Sequence, residues 1–189
     1  MSIATVYAES LALIGQDPAS PGDGTKAANF ADIFYQPLVD ATLRAVKWNC
    51  AIARSSQLAA DATAPAFKWT YRYPLPNDPD YCLKVWCVND DLDAIYAVEG
   101  RYLMSNDSNV KIEFAKRVID PDLWDAMLYQ AITAGLASKL ASALLKDTKR
   151  ALDLYKFYQA MLADAAAVDG QEGSQGVISS HDLISVRTS

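Results

Sequence analysis

Three aspartates, Asp90, Asp91 and Asp93, lie within four positions of each other and form a group that could do chemistry. Carboxylate oxygens are the ligands that Mg²⁺ and Ca²⁺ prefer, so this group could hold a cation for a metal-dependent hydrolase. The same spacing is typical of a solvated turn, because Asp favours turns and is depleted in strands. Segments of period-2 alternation lie on both sides of the group, and we therefore interpret it as a turn between strands.

The other signatures of catalysis are weak or absent in this sequence. His181 is the only histidine and lies near the C-terminus, so we interpret it as an exposed tail residue. Residues 22–27 (GDGTKA) match a G-x-G-x-x-A phosphate loop, but that fingerprint needs a preceding strand and a βαβ unit. A helical pattern and a PASP turn precede it here. We therefore predict no catalytic residue, no cofactor and no bound metal.

Aromatic side chains are concentrated in the middle of the chain, where they could stack on nucleic-acid bases. They accompany no basic groove, so roles in a core or a protein interface are favoured. These residues are Tyr71, Tyr73, Tyr81, Trp86 and Tyr96.

The three cysteines, Cys50, Cys82 and Cys87, have no metal-binding spacing and are predicted to be buried, reduced thiols. Cys82 and Cys87 lie an odd number of positions apart on one predicted strand, so we expect them on opposite faces.

Composition narrows the class of protein. The chain has 189 residues, a net charge of −6 and a pI near 4.7. An acidic balance argues against broad binding to duplex DNA, which needs clustered Lys and Arg. No apolar run approaches the roughly 20 residues of a membrane span, and the first residues lack the basic lead of a signal peptide. We therefore expect synthesis in the cytoplasm and no membrane partner.

The strongest helical pattern covers residues 120–145. Asp120 is predicted as the N-cap, and Pro121 fits the first helical position. Two overlapping apolar seams follow, one through Leu123 and Met127 and the other through Trp124 and Leu128. Two seams predict a helix that is covered on most sides, and we place it at the centre of a helical core.

Three further helices are predicted at residues 2–14, 24–58 and 147–168, with a kink or break at Pro37 and Trp48 as a core anchor. Strands are predicted at 68–73, 81–89, 95–98, 101–104 and 110–117. The predicted fold is mainly α within the α+β class. It consists of an α-helical bundle with an inserted small antiparallel sheet and a flexible C-terminal arm. A single domain spans 1–169, with a helical core at 2–60 and 120–168, a β insertion at 66–118 and an arm at 170–189.

The order of landmarks along the chain resembles a known family. Trp48 and Ala51 precede the Y-x-Y-P-L-P-x-D segment at 71–78, and Glu99-Gly100-Arg101 follows. The wider landmarks, which span Ser2 to Ala167, are ESLALIGQDP, KWNCAIAR, FKWTYRYPLPNDPDYCLKVWCV, VEGRYLMSND and VKIEFAKRVIDPDLWDAMLYQAITAGLASKLA. Together they are similar to the head-to-tail adaptors of tailed bacteriophages, the group that includes the tail tubular protein A of short-tailed phages.

The resemblance implies a structural virion protein without catalysis. Copies of such adaptors form a homo-oligomeric ring, usually of twelve, beneath the portal protein. The ring joins the capsid vertex to the tail, nozzle or neck protein, and genomic DNA passes through its centre without sequence-specific binding. The residues expected to face the tail are Asp90, Asp91, Asp93, Asn106 and Asp107. The portal-binding residues expected in the arm are Val177, Ile178, Leu183, Ile184 and Val186.

Other functions remain open at this point. Another neck or head-completion protein is the nearest alternative, whereas long helices with a sheet insertion disfavour a tail terminator. From a different class, a helical regulatory module could bind a small molecule between its helices. That alternative predicts a closed apolar pocket and a compact dimer rather than a ring.

Overall fold

The computed structural model describes residues 1–91 and 93–171, and within them the chain folds as an α+β protein. Four helices accompany two three-stranded antiparallel sheets, which confirms the predicted class. The helices are α1 (Ile3–Ala12), α2 (Lys26–Ala45), α3 (Ala126–Leu140) and α4 (Thr148–Gln171). The strands are β1 (Ile52–Arg54), β2 (Tyr71–Pro74), β3 (Cys82–Val88), β4 (Tyr96–Glu99), β5 (Tyr102–Ser105) and β6 (Ile112–Lys116).

Helix α3 lies at the centre of the helical layer and packs against α1, α2 and α4. Eleven of its 15 residues are buried, in agreement with the two apolar seams. Gly135 allows the closest approach, because a Cβ there would lie 3.0 Å from the ring of Tyr158 and 3.2 Å from Leu38. A residue without a side chain therefore sets how closely α2 and α4 pack against α3.

The predicted start of the central helix at Asp120 is wrong by five residues. Asp120 accepts a hydrogen bond from the Asp122 amide, but it begins only a 3₁₀ turn at Pro121–Leu123. The chain then becomes extended, and Asp125 caps α3 by accepting from the Met127 amide at 2.6 Å. The sequence pattern does not distinguish the two Asp caps, because either one can satisfy the free amides of a first helical turn.

The predicted helix at 24–58 is also shorter than its pattern. It runs through Pro37 without a break, ends at Ala45, and gives way to extended backbone at Val46. Trp48 turns back into the core, where it is 1% exposed and its indole N–H donates to the Thr42 carbonyl at 2.9 Å. This bond satisfies one of the carbonyls left free at the helix end, so burial of Trp48 and termination of α2 occur together.

The residues after Trp48 form a strand that the helical pattern conceals. A 3₁₀ turn at Asn49–Ala51 leads into β1, which pairs antiparallel with β6 in the register Ile52↔Ala115. The first sheet has the order β1-β6-β3, and the second has the order β2-β5-β4. The single inserted sheet expected from the sequence is therefore two sheets, one of which uses a strand from the predicted helical core.

The first sheet separates two apolar cores. On one side, Leu83 and Ala115 join the helical core. On the other, Phe114 packs with Tyr73 and Leu103 of the second sheet. The molecule is thus layered in the order helices, first sheet, second sheet, and each sheet residue belongs to the core that its face meets.

Register shifts on β3 alter the expected alternation of its side chains. The pairing with β6 shifts between Cys82 and Lys84 and again between Val85 and Cys87. As a result Cys82, Val85 and Val88, three positions apart, all contact the second core. Bulges of this kind re-aim side chains that a strict period of two would place on the other face.

The ends of the chain agree with the sequence to different extents. Ser2, the first residue of the helix predicted at 2–14, caps α1 by accepting from the Thr5 amide at 3.2 Å. Helix α4 begins at Thr148 and continues to Gln171, three residues beyond the predicted end. The rest of the predicted arm, residues 172–189, lies outside the described part. Within the described helices, none is both long and apolar enough to cross a membrane.

Substitution of the two Asp caps tests where the central helix begins. We expect Asp125→Ala to lower the free energy of unfolding by about 1 kcal/mol, because α3 loses the side chain that satisfies its first turn. Asp120→Ala should cost less, since Asp120 caps only a single 3₁₀ turn. Urea unfolding of both variants checks this, and an equal loss in the two would contradict the assignment of Asp125 as the cap.

The β1–β6 pair contains an ion cluster whose contribution should depend on pH. Glu113 on β6 accepts from Lys47 and lies 2.6 Å from Arg54 of β1. Lys47 and then Arg54 hold the pKa of Glu113 below its ordinary value of 4.5. A depressed carboxyl pKa means that the charged form stabilises the fold above the pKa of the unfolded chain. That stabilisation is lost as the pH falls through the folded pKa.

We therefore expect Glu113→Gln to be less stable than the wild-type protein at pH 7, with the difference shrinking as the pH falls below about 4.5. Urea midpoints at pH 7 and pH 3 measure this difference. Glu99→Gln is the matched control, because Glu99 is an exposed carboxylate in the β4–β5 hairpin. A difference that persists unchanged at pH 3 would rule out the ion cluster as its cause.

Candidate interaction site

The acidic group predicted as a turn is a turn. Asn89 and Asp90 have φ angles of 55° and 57°, and the Asp91 amide donates to the Val88 carbonyl at 3.0 Å. Two successive positive φ angles are typical of a tight hairpin turn, and Asn and Asp tolerate them best. The Asn89 side chain anchors this turn by donating to the Asn109 carbonyl and accepting from the Lys111 amide, both at 2.9 Å.

Asp90, Asp91 and Asp93 are all exposed at the end of β3, and we call this group the acidic turn. One oxygen of Asp91 accepts from the Asp93 amide at 2.9 Å, so this carboxylate is partly engaged within the turn. In the described part of the chain, the three carboxylates form no ion pair, and no His, Cys, Asp or Glu cluster is arranged to hold a metal ion.

The other two residues predicted to face the tail, Asn106 and Asp107, hold a loop together. The side-chain oxygen of Asn106 (Oδ1) accepts from the Thr70 amide at 2.9 Å and from the Thr70 hydroxyl at 3.0 Å. The hydroxyl of Tyr73, which is fully buried, donates to the Asp107 carbonyl at 2.6 Å. The side-chain oxygen of Asn106 and the backbone carbonyl of Asp107 therefore hold this loop in place, whereas Asp107 itself is exposed.

The portal-binding residues predicted in the arm, together with His181, lie outside the described residues. Those arm residues are Val177, Ile178, Leu183, Ile184 and Val186. Their assignment stays a prediction.

The cysteines differ in their surroundings. Cys82 is 2% exposed, and burial raises the pKa of its thiol to about 11. Cys87 is half-buried, and its thiol lies 3.7 Å from the Asp91 carbonyl. A buried thiol with a raised pKa is a poor nucleophile, so Cys82 has a packing role.

A cleft that sequence reasoning missed lies where α2 meets the two sheets. Its volume is about 390 Å³, and four cationic side chains line it: Arg44, Lys84, Arg101 and Arg117. The carboxylate of Asp40 lines it as well, and it accepts two hydrogen bonds from Arg117. Leu75, Val85 and Val98 supply apolar wall. We call this the arginine cleft.

Hydrogen bonds to backbone carbonyls hold two of these cations in place. Arg101 donates to the Cys82 carbonyl at 2.6 Å and to the Pro76 carbonyl at 2.5 Å. Arg44 donates to the Leu83 carbonyl at 2.7 Å. Neutral carbonyls fix the orientation of a guanidinium but do not cancel its charge, so the bonds position the cations without neutralising them.

An aromatic ring completes the arrangement. The guanidinium carbons of Arg101 and Arg117 each lie 4.1 Å from the centre of the Tyr81 ring. Lys84 lies 3.9 Å from the centre of the Trp86 ring. Cations over aromatic faces are held by the ring quadrupole, which keeps these charges at the cleft instead of extending into solvent.

The arginine cleft has no local sequence signal, because its cations are spread from position 44 to position 117. Arg101 does occur in the VEGR landmark, where the sequence indicates only a hairpin turn. The turn itself is confirmed, since Glu99 pairs with Tyr102 and Gly100 has a φ of 61°. The role of the arginine becomes visible only when β3 and α2 are placed beside it.

No protein family and no curated protein matches this chain.

Replacement of Arg101 tests whether it ties the two sheets together. We expect Arg101→Met to lower the free energy of unfolding by about 2–4 kcal/mol, because two carbonyls lose a charged donor. Lys84→Met is the matched control in the same cleft and should cost less than about 1 kcal/mol, since it loses only its contact with Trp86. Equal losses in chemical denaturation would show that Arg101 has no special tying role.

Proposed function

We propose that this protein is a head-to-tail adaptor of a tailed bacteriophage, a structural virion protein of the head–tail junction. In this proposal an α-helical bundle with a β insertion and a C-terminal arm assembles into a ring, of twelve copies in the resembling family. The ring joins the portal protein to the tail or neck, and genomic DNA passes through it. The observation that carries the proposal is the ordered series of landmarks from ESLALIGQDP to the central helix.

The positions of these landmarks in the fold support the proposal. Arg101 of the VEGR landmark donates to Pro76 and Cys82, which belong to the YPLPNDPDYC landmark. Trp48 of the KWNC landmark closes the end of α2. Residues from separate landmarks thus meet at the junction of helices and sheets, as expected when a motif series specifies an architecture.

Exposed apolar side chains support a role in assembly. Large apolar residues are exposed on α4 and in the β insertion, and exposed apolar surface is available for contact with other proteins. On α4 they are Leu152, Tyr155 and Phe157, and in the insertion they are Phe67, Ile95 and Val98. A ring requires two different contact faces on each copy, and these two groups lie on different elements.

The acidic balance of the chain suits a channel through which DNA slides. A net charge of −6 repels the phosphate backbone and disfavours stalling on the wall. In this proposal acidic residues outnumber basic ones on the face that lines the channel.

The small-molecule alternative has one observation in its favour. A groove of about 450 Å³ between α1, α3 and α4 is bordered by Leu13, Phe157 and Met161. Its wall includes Phe157, which is 51% exposed, so the groove is open to solvent. A regulatory module would enclose its ligand more fully, and the adaptor function is therefore the one we propose.

Electron microscopy of the purified protein, alone and mixed with the portal protein of the same phage, tests the proposal. We expect ring-shaped particles that stack coaxially on portals. A protein that remains a single copy or a compact dimer at all concentrations, with and without portals, would refute it.

Removal of residues 172–189 tests the portal-binding arm, because it leaves all of α4 in place. We expect the thermal midpoint to change little and the fraction of decorated portals to fall steeply. Normal decoration by the shortened protein would show that Val177, Ile178, Leu183, Ile184 and Val186 are not the portal contact.

A further inference from the structure

The arginine cleft carries positive charge that its surroundings do not balance. Arg117 is paired with Asp40, but Arg44, Lys84 and Arg101 have no carboxylate within 4 Å among the residues that the structure describes. Three fixed cations on an otherwise acidic protein are unusual, because like charges brought together cost free energy unless a counter-ion joins them. The cleft can thus bind an anionic group from another molecule.

The acidic turn presents the opposite charge at the other end of the same strand. The cleft borders β3 from Cys82 to Val85, and the turn follows Val88, where β3 ends. From Cys82 to Val88 the strand spans roughly 20 Å at about 3.3 Å per residue, so the turn lies beyond the cleft along the strand. Because β3 is hydrogen-bonded to β6 along its length, a chain cannot bring its own turn to its own cleft.

We infer that the arginine cleft of one copy receives the acidic turn of a second copy, so that the acidic turn contacts a neighbouring copy and not the tail. Unlike surfaces at opposite ends of one strand give a head-to-tail contact, which repeats from copy to copy and closes into a ring when the rotation permits. This inference assigns a contact to the ring and rests on the proposed function for the ring itself. The cleft-to-turn contact can nevertheless be measured on its own.

Charge and shape favour a carboxylate-bearing loop over DNA as the occupant. The cationic group is confined to a cleft of about 390 Å³ with apolar walls at Leu75 and Val98. Duplex binding uses extended basic surfaces that contact many phosphates, and the chain as a whole is acidic. A turn with two or three Asp side chains can enter such a cleft and form charge-assisted hydrogen bonds with its guanidinium groups.

A labelled peptide copying residues 88–95 (VNDDLDAI), titrated into the full chain, tests the contact independently of ring formation. We expect saturable binding that weakens with added salt and is lost when the three Asp residues of the peptide become Asn. Lys84→Glu should weaken binding by about tenfold or more, since it replaces an attractive charge at the cleft with a repulsive one. Lys84→Gln should show a smaller loss and serves if the reversed charge impairs folding.

Lys156→Glu is the matched control, because it makes the same change of net charge on an exposed position of α4. It should leave binding of the peptide unchanged. Absence of binding to the wild-type chain, or equal weakening by Lys84→Glu and Lys156→Glu, would overturn the inference. So would a short DNA duplex that binds the cleft more tightly than the peptide does.

Charge reversal in the full chain connects the contact to assembly. We expect Lys84→Glu alone, and Asp90→Lys with Asp91→Lys alone, to reduce ring particles by about tenfold. Combining all three substitutions should not restore them, because Arg44 and Arg101 still make the cleft cationic. Rings that persist in every variant would overturn the inference and leave the adaptor proposal standing. Binding of the peptide without ring formation on any portal would support the cleft-to-turn contact and overturn the adaptor proposal.

Discussion

The guanidinium group of Arg101 is the connection on which the assembly of layers depends. It lies at the β4–β5 turn of the second sheet and donates to carbonyls at Pro76 and Cys82, the latter on the first sheet. It also packs on Tyr81, which in turn contacts Arg117, the partner of Asp40 on α2. One chain of contacts thus joins all three layers. Charged donors to buried carbonyls are stronger than neutral ones, which explains why a cation occupies this junction.

The same junction also creates the cleft on which the proposed contact between copies depends. Once Arg44 and Arg101 are fixed by carbonyls, their charges cannot move apart or reach solvent freely. The bonds from these arginines to backbone carbonyls therefore create a cationic cleft on a chain whose net charge is −6. Arg44 and Arg101 can bond to backbone carbonyls and still bind a partner, because a guanidinium has five N–H groups and the backbone uses only some of them.

The arrangement agrees with a protein whose partners are other proteins. The exposed apolar side chains of α4 lie on a different element from the charged groups at the two ends of β3, so each copy presents distinct surfaces. Described carboxylates form turns and ion pairs rather than a metal cluster. Cys82, the most buried thiol, is chemically quiet because burial raises its pKa. The adaptor proposal itself is carried by the ordered landmarks of the sequence.

Local features of the chain were determined by the sequence itself. The Ser2 cap, the Glu99–Arg101 hairpin turn, the acidic turn after β3 and the burial of α3 each depend on neighbours within a few positions, so periodicity and turn chemistry predict them. The end of α2, the strand at Ile52–Arg54, the division into two sheets and the arginine cleft were decided by tertiary structure. Each depends on groups far apart in sequence: Trp48 must meet the core, β1 must find β6, and Arg101 must reach Cys82. No local pattern encodes such meetings, because they are selected by the packing of the whole chain.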